Sequence, residues 1–156
     1  MATLTVKFDS SKLVAALVRA PEAVNRQMQL GLSKAAQSVA DHARQNHRYI
    51  SRSGNLDRSI GVTVQGQTAT ISPDLGIAPY AIFQLAGTKT HFIKPVSAKA
   101  LRWVGESGNF VFDKGHEVKG IVADPFIAAA LQAQKDTVIS TLRDAMNNGI
   151  KAAGLK

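Results

Sequence analysis

From Pro21 to about Asn46, the apolar residues Val24, Met28, Leu32, Ala36, Val39 and Ala43 recur every three or four positions. That spacing puts their side chains on one face of an α-helix. Pro21 suits a first helical turn, where its missing N–H has no intrahelical partner to lose, so the helix is predicted to open there. Ser10 or Ser11 is placed to cap a shorter helix ending at Arg19. Ahead of it, Leu4, Val6 and Phe8 alternate within Thr3–Phe8, which predicts a short half-buried strand.

The middle of the chain changes period. Ile60 to Val64 and Ala69 to Ile71 flank Gln65-Gly66-Gln67, and Leu101 to Val104 with Phe110 to Phe112 flank Glu106-Ser107-Gly108-Asn109. Both read as hairpins. Helical spacing returns after Asp124 and Pro125, a predicted N-cap and first helical residue, with Ile127, Leu131, Val138, Leu142 and Ala145 on or near one face. Asn147-Asn148-Gly149 reads as the stop, with residues 150–156 as a flexible tail. The economical arrangement is a single α+β domain over 1–156. In it an antiparallel sheet of about four strands, with Thr3–Phe8 on an edge, packs against a long helix from the N-terminal half and a long C-terminal helix.

Composition and charge narrow the chemistry. With 156 residues, 45% of them hydrophobic, the chain can bury a core without support from metal or disulfide. Zero cysteines exclude disulfides, thiol nucleophiles and the common zinc modules. No long apolar core follows a basic start at Met1–Ser10, so no secretory signal is read there, and Leu13 to Val18 is too short to cross a bilayer. The net charge is +8, and its densest block holds Arg44, Arg48, Arg52 and Arg58 against a single carboxylate, Asp57. With Tyr49 among them, these arginines could follow a phosphate backbone and stack a base. Arg44 and Arg48 would equally suit the negative end of the helix dipole, and the cluster could also face an acidic protein surface.

Catalytic patterns are missing. His42 and His47 are five apart, which is off the one-face spacing of three or four, neither they nor His116 sit in a ligand motif, and His91, between Gly87-Thr88 and Pro95, is expected to pin that loop by a hydrogen bond and not to catalyse. Asp113 and Glu117 are close in sequence while Asp57 and Asp74 read as isolated, and each of the four has basic neighbours to pair with on the surface. Ser51, Ser53 and Ser59 lack a nucleophile elbow, and the glycines form no phosphate-binding loop. The expectation is therefore no enzyme, no cofactor and no metal ligand set.

Three tight segments carry the most information: Ser53-Gly54-Asn55-Leu56 with Arg58-Ser59-Ile60; Tyr80-Ala81-Ile82-Phe83; and Gly87-Thr88-Lys89-Thr90-His91-Phe92-Ile93-Lys94-Pro95. Gly54-Asn55 reads as a turn reaching positive φ that feeds the strand with Ile60, Val62 and Val64. Taken in order with Ala98-Lys99-Ala100-Leu101 and Ala123-Asp124-Pro125-Phe126, the set resembles the neck or tail-completion proteins of long-tailed double-stranded DNA bacteriophages. It departs from their pattern at Gln84-Leu85-Ala86, where many relatives carry an acidic residue, and at Lys119-Gly120, where they often have Pro-Gly.

The resemblance implies a structural virion protein, made in the cytoplasm of a bacterial host. It would form a ring, six-fold by family implication, at the junction of head and tail. Its implied partners are further copies of itself, the head-closure or connector protein, and the tail-terminator or tail-tube protein. Phage DNA would lie nearby without specific contact, and no membrane is involved. Ring and partner contacts are expected in Tyr49 to Asn55, Leu75 to Ala78 and Thr88 to Ser97, through Arg44, Arg48, Tyr49, Arg52, Gly54, Asn55, Thr88, Lys89, His91, Phe92 and Lys94. Leu56, Tyr80, Ala81, Gly87, Pro95, Asp124, Pro125 and Phe126 are the motif positions expected to hold the structure. The alternatives from charge alone are a small basic nucleic-acid-binding protein and, further off, a metal-dependent nuclease or toxin.

Overall fold

The computed structural model describes residues 11–155. The strand expected at Thr3–Phe8 lies outside them. α1 is one helix, Ser11–Gln45, not the two that Pro21 was expected to separate. Proline removes one N–H from the ladder but holds φ near its helical value, so the helix passes through Pro21. The predicted stripe is buried in its second half, where Ala35, Ala36, Val39, Ala40 and Ala43 are shielded from water.

After α1 come the single turn α2 (Asn55–Ser59), strands β1 (Ile60–Gln65) and β2 (Thr68–Pro73), and the short helix α3 (Ala81–Ala86). Strands β3 (His91–Ile93), β4 (Leu101–Val104), β5 (Phe110–Asp113) and β6 (His116–Val118) follow, then helices α4 (Phe126–Ala133) and α5 (Lys135–Ala152). The α+β class holds, but the single sheet of about four strands does not. Among the described residues the strands form three separate antiparallel pairs, β1–β2, β3–β6 and β4–β5. β1–β2 lays Ile60, Val62 and Ile71 against the core beside α1 and turns Thr63, Thr70 and Ser72 outward. Its polar outer face and short strands give the other two ribbons no apolar surface to pack on.

The C-terminal helix is also not the one expected. It breaks at Gln134, whose side-chain amide lies 3.0 Å from His42 Nδ1 and 3.4 Å from the Ser38 hydroxyl on α1. It then runs past the expected stop to Ala152, with Ala153 buried, so the tail expected from residue 150 is helical at its start. The glycine read as a terminator has a different task. A Cβ on Gly149 would meet Val24 Cα at 2.7 Å, and one on Gly31 would meet Ala145 Cβ at 2.4 Å. Small residues at both crossings let α1 and α5 approach closely along their length, and this is the largest packing surface in the fold.

One core cluster joins Val39, Ala40 and Ala43 of α1 to Leu56, Ile60, Ala78, Ala81, Phe126 and Ala130. Phe126 is its largest fully buried side chain, 1% exposed.

Candidate functional site

The C-terminal end of α1 is where the sequence segments meet. Beyond Gln45 the chain reverses, and Asp124 arrives from across the fold to hold it: its Oδ2 accepts the backbone N–H of Arg48 at 2.6 Å and of Tyr49 at 3.1 Å. Arg48 answers with its guanidinium, 3.4 Å from Asp124 Oδ1 and 2.7 Å from the Ala123 carbonyl oxygen. Asp124 is therefore not the N-cap of α4 that its position before Pro125 suggested. That helix begins without a side-chain cap. The carboxylate is itself buried, 6% exposed, and the two N–H groups of the half-buried reversal satisfy it where the first turn of α4 would otherwise do so, since a buried polar group left without a partner costs about 1–3 kcal/mol.

A second carboxylate, Asp57, anchors the other side of the same loop. Its oxygens accept the hydroxyls of Tyr49 and Ser51, and His47 Nε2 stands 3.5 Å away. Asp57 is thus not isolated as the sequence suggested. The rings of His47 and Tyr49 stack with centroids 3.7 Å apart at 8°, and Tyr49 meets Phe126 edge-on at 5.1 Å. Burial, then the hydrogen bond and charge of Asp57, push the Tyr49 phenol well above its ordinary range. Burial alone would raise the Asp57 carboxyl as well, but the Ser51 and Tyr49 hydroxyls and the His47 ring outweigh it and hold that group below the usual carboxylate range.

Arg44 also points inward. Its guanidinium donates to the backbone carbonyl oxygens of Asp57, at 3.2 Å, and of Ile60, and pairs with Asp41. It ties α1 to the start of β1. Arg52, exposed, and Arg48, 68% exposed at its side chain, face solvent. Gly54 takes φ 69° as its turn requires. Asn55 opens α2 and accepts from Arg58. Arg52 and Gly54 line a cleft of about 420 Å³ together with Tyr49, Leu56 and Tyr80. Leu56 and Ala81 are buried, while Tyr80 and Pro125 are exposed.

The Gly87 segment is joined to this junction through residues 121–124. Gln84 O accepts the N–H of Asp124 at 2.8 Å, and Thr88 exchanges two bonds with Ile121, N–H to O at 2.8 Å and Oγ1 from N–H at 2.9 Å. Both glycines at this crossing are required by space. A Cβ on Gly87, at φ 74°, would lie 2.7 Å from Ile121 O, and one on Gly120 would overlap Thr88 O at 1.8 Å. His91 and Phe92 lie apart on the β3–β6 ribbon with Lys89 and Lys94 flanking β3, all exposed, and Pro95 half-buried after them. His91 Nδ1 makes only a local contact, 3.0 Å from the Lys89 carbonyl oxygen. The expected contact residues thus divide into a bonded junction and a separate exposed ribbon.

Sequence reasoning passed over the β4–β5 hairpin as a surface. Its register places Val104, Phe110 and Phe112 with Arg102 on one face, and Leu101, Trp103 and Val111 with Asp113 on the other. The second face meets His116 through Trp103, ring centroids 5.2 Å apart. The first is bare: Val104 is 60% exposed, Phe110 59% and Phe112 64%, with the Arg102 guanidinium 4.6 Å above the Phe110 ring. The signal was legible in Phe110-Val111-Phe112, which is apolar on both faces where a solvent-edged strand alternates. Among the described residues, no three His, Asp or Glu side chains gather as metal ligands, and no helix is long and apolar enough to cross a membrane. Comparisons with family models, with curated proteins and with solved structures find nothing that matches this chain.

Proposed function

We propose that the protein is a structural subunit that assembles into a ring at the head–tail junction of a long-tailed bacteriophage, completing the tail and joining it to the capsid connector. The observation that carries this reading is a division of labour. The polar groups at the end of α1 are bonded to one another, with Asp124 and Asp57 each accepting from two partners, whereas Val104, Phe110 and Phe112 on one face of β4–β5 are more than half exposed, with only the Arg102 guanidinium above Phe110 among the described residues. A binding role needs a firm frame and an uncovered apolar surface, and turnover would need an open, polarised group within the frame. The segments around Ser53–Ile60, Gln84–Thr88 and Ala123–Phe126, which carry part of the resemblance, support the phage assignment because they meet in this frame. In the ring, each copy contacts the next with a different patch, and the ring closes when the rotation per contact divides the circle.

Imaging of intact phage particles carrying the labelled protein tests the reading, with signal expected only where tail meets head. Label on the capsid shell or along the tail, or none in particles, overturns it. Steeply salt-dependent binding of duplex DNA by the isolated protein would favour the nucleic-acid-binding alternative. Metal-dependent cleavage abolished by one acidic substitution would favour an enzyme.

A further inference from the structure

The bare face of β4–β5 combines two features that hold a nucleic-acid strand when they occur together. The first is a stacking surface. Phe110 and Phe112 stand two residues apart on one strand, which spaces them by about 7 Å. Both are more than half exposed, and Arg102, directly opposite Phe112, holds its guanidinium 4.6 Å above the Phe110 ring. Aromatic rings and guanidinium planes are the groups on which unpaired bases stack, and they accept any sequence because every base has a π-face.

The second feature is charge. From Lys89 to Lys119 the chain carries six basic side chains, Lys89, Lys94, Lys99, Arg102, Lys114 and Lys119, all exposed, against the three carboxylates Glu106, Asp113 and Glu117. Asp113, the one carboxylate within β4 and β5, lies on the opposite face, where it accepts the Gly115 N–H at 3.1 Å and meets His116 Nδ1 at 2.6 Å. The bare face therefore carries Arg102 and no carboxylate. Lys99 and Lys114 flank it at the open end of the hairpin, where Leu101 pairs with Asp113.

We propose that this face binds an unpaired nucleic-acid strand, with bases stacked on Phe110 and Phe112 and phosphates met by Arg102, Lys99 and Lys114. The contact is separate from the arginine block at the end of α1 and does not depend on ring assembly. The face is too small to be a protein interface by itself. A whole aromatic side chain offers about 150–250 Å², so the exposed parts of Phe110 and Phe112 give roughly 250 Å², against roughly 800 Å² that each partner contributes to a stable protein interface. A stacked base needs far less. Duplex DNA is also disfavoured, because its bases are stacked on one another and cost energy to extrude.

Fluorescence anisotropy of the full chain with a labelled oligothymidylate of about 16 nucleotides is the test. The wild type is expected to bind it with an affinity that falls as salt rises, and to bind a duplex of the same length more weakly. Phe112→Leu keeps an apolar side chain but removes the stacking ring, and is expected to weaken binding about tenfold. Phe112→Tyr, which keeps the ring, is expected to bind like the wild type. Lys99→Gln and Lys114→Gln should each reduce the salt slope by about 0.7, the value of one phosphate contact to a single strand. Lys34→Gln, which removes an exposed charge from α1, should leave the slope as it is. Unchanged circular dichroism and melting temperature check that each variant folds. Failure of the wild type to bind the oligonucleotide, equal affinity for the duplex, or wild-type-like binding by Phe112→Leu overturns the assignment. A loss with Lys34→Gln as large as that with Lys99→Gln also overturns it, because the binding would then be the general attraction of a basic chain.

Discussion

The junction at the end of α1 and the β4–β5 hairpin are made from similar materials and used in opposite ways. Each has aromatic rings and an arginine. In the junction Tyr49 lies between His47 and Phe126, and Arg44 donates to backbone carbonyls. In the hairpin Phe110 and Phe112 face water, with Arg102 over one of them. Rings surrounded by protein stabilise the fold. Rings left in water do so only when another surface covers them. Stability and binding should therefore separate cleanly under mutation.

The largest effect is expected inside the junction. Phe126→Ala empties the centre of the core and should cost about 3–5 kcal/mol, read as a lower denaturation midpoint in urea. Next is Asp124→Ala, which strands the N–H groups of Arg48 and Tyr49 and should cost roughly 2–3 kcal/mol. Asp124→Asn, which keeps an acceptor oxygen, should lose less. If both variants melt like wild type, the junction does not hold the loop.

Gly87→Ala should cost about 1–3 kcal/mol through positive φ alone, with the contact to Ile121 O added. Gly54→Ala, at similar φ but with open space around its Cβ, should lose less. Equal losses would remove the crossing from the account.

A smaller effect depends on pH. Asp57 has a lowered folded pKa, so its contribution is present above the unfolded value of about 3.9 and is lost as pH falls through the folded one. Tyr49 has a raised folded pKa, so its contribution is present below about pH 10 and is lost as pH rises beyond. Tyr49→Phe should cost about 1 kcal/mol at neutral pH. It should also flatten the alkaline limb of melting temperature against pH. A limb unchanged by the substitution would place the alkaline sensitivity elsewhere.

The smallest change in stability belongs to the hairpin. Phe112→Glu should alter the unfolding free energy by no more than about 0.5 kcal/mol, while suppressing the binding of single-stranded DNA. A loss as large as that of Asp124→Ala would end the contrast. Replacing Arg44, Arg48 and Arg52 together would be a poor docking test, because Arg44 bonds Asp57 and Ile60 within the fold. Arg52→Glu alone leaves those bonds intact.

The sequence by itself determined what depends on local period and turn chemistry. The stripe from Val24 to Ala43 gave α1 its buried face, Gly66 and Gly108 marked the two hairpins, and Gly54 marked its turn, because backbone sterics and side-chain spacing act within a few residues. Only the tertiary structure decided what depends on competition between distant groups. Pro21 stayed inside a helix, Gly149 became a close helix contact, and Asp124 left its helix end for the N–H groups of Arg48 and Tyr49. The strands divided into three ribbons, one of them keeping its aromatic face in water. A residue's local preference is worth about 1 kcal/mol, and a buried donor without a partner or a helix crossing that needs a small residue outweighs it. Such terms exist only after chain segments far apart in sequence have met.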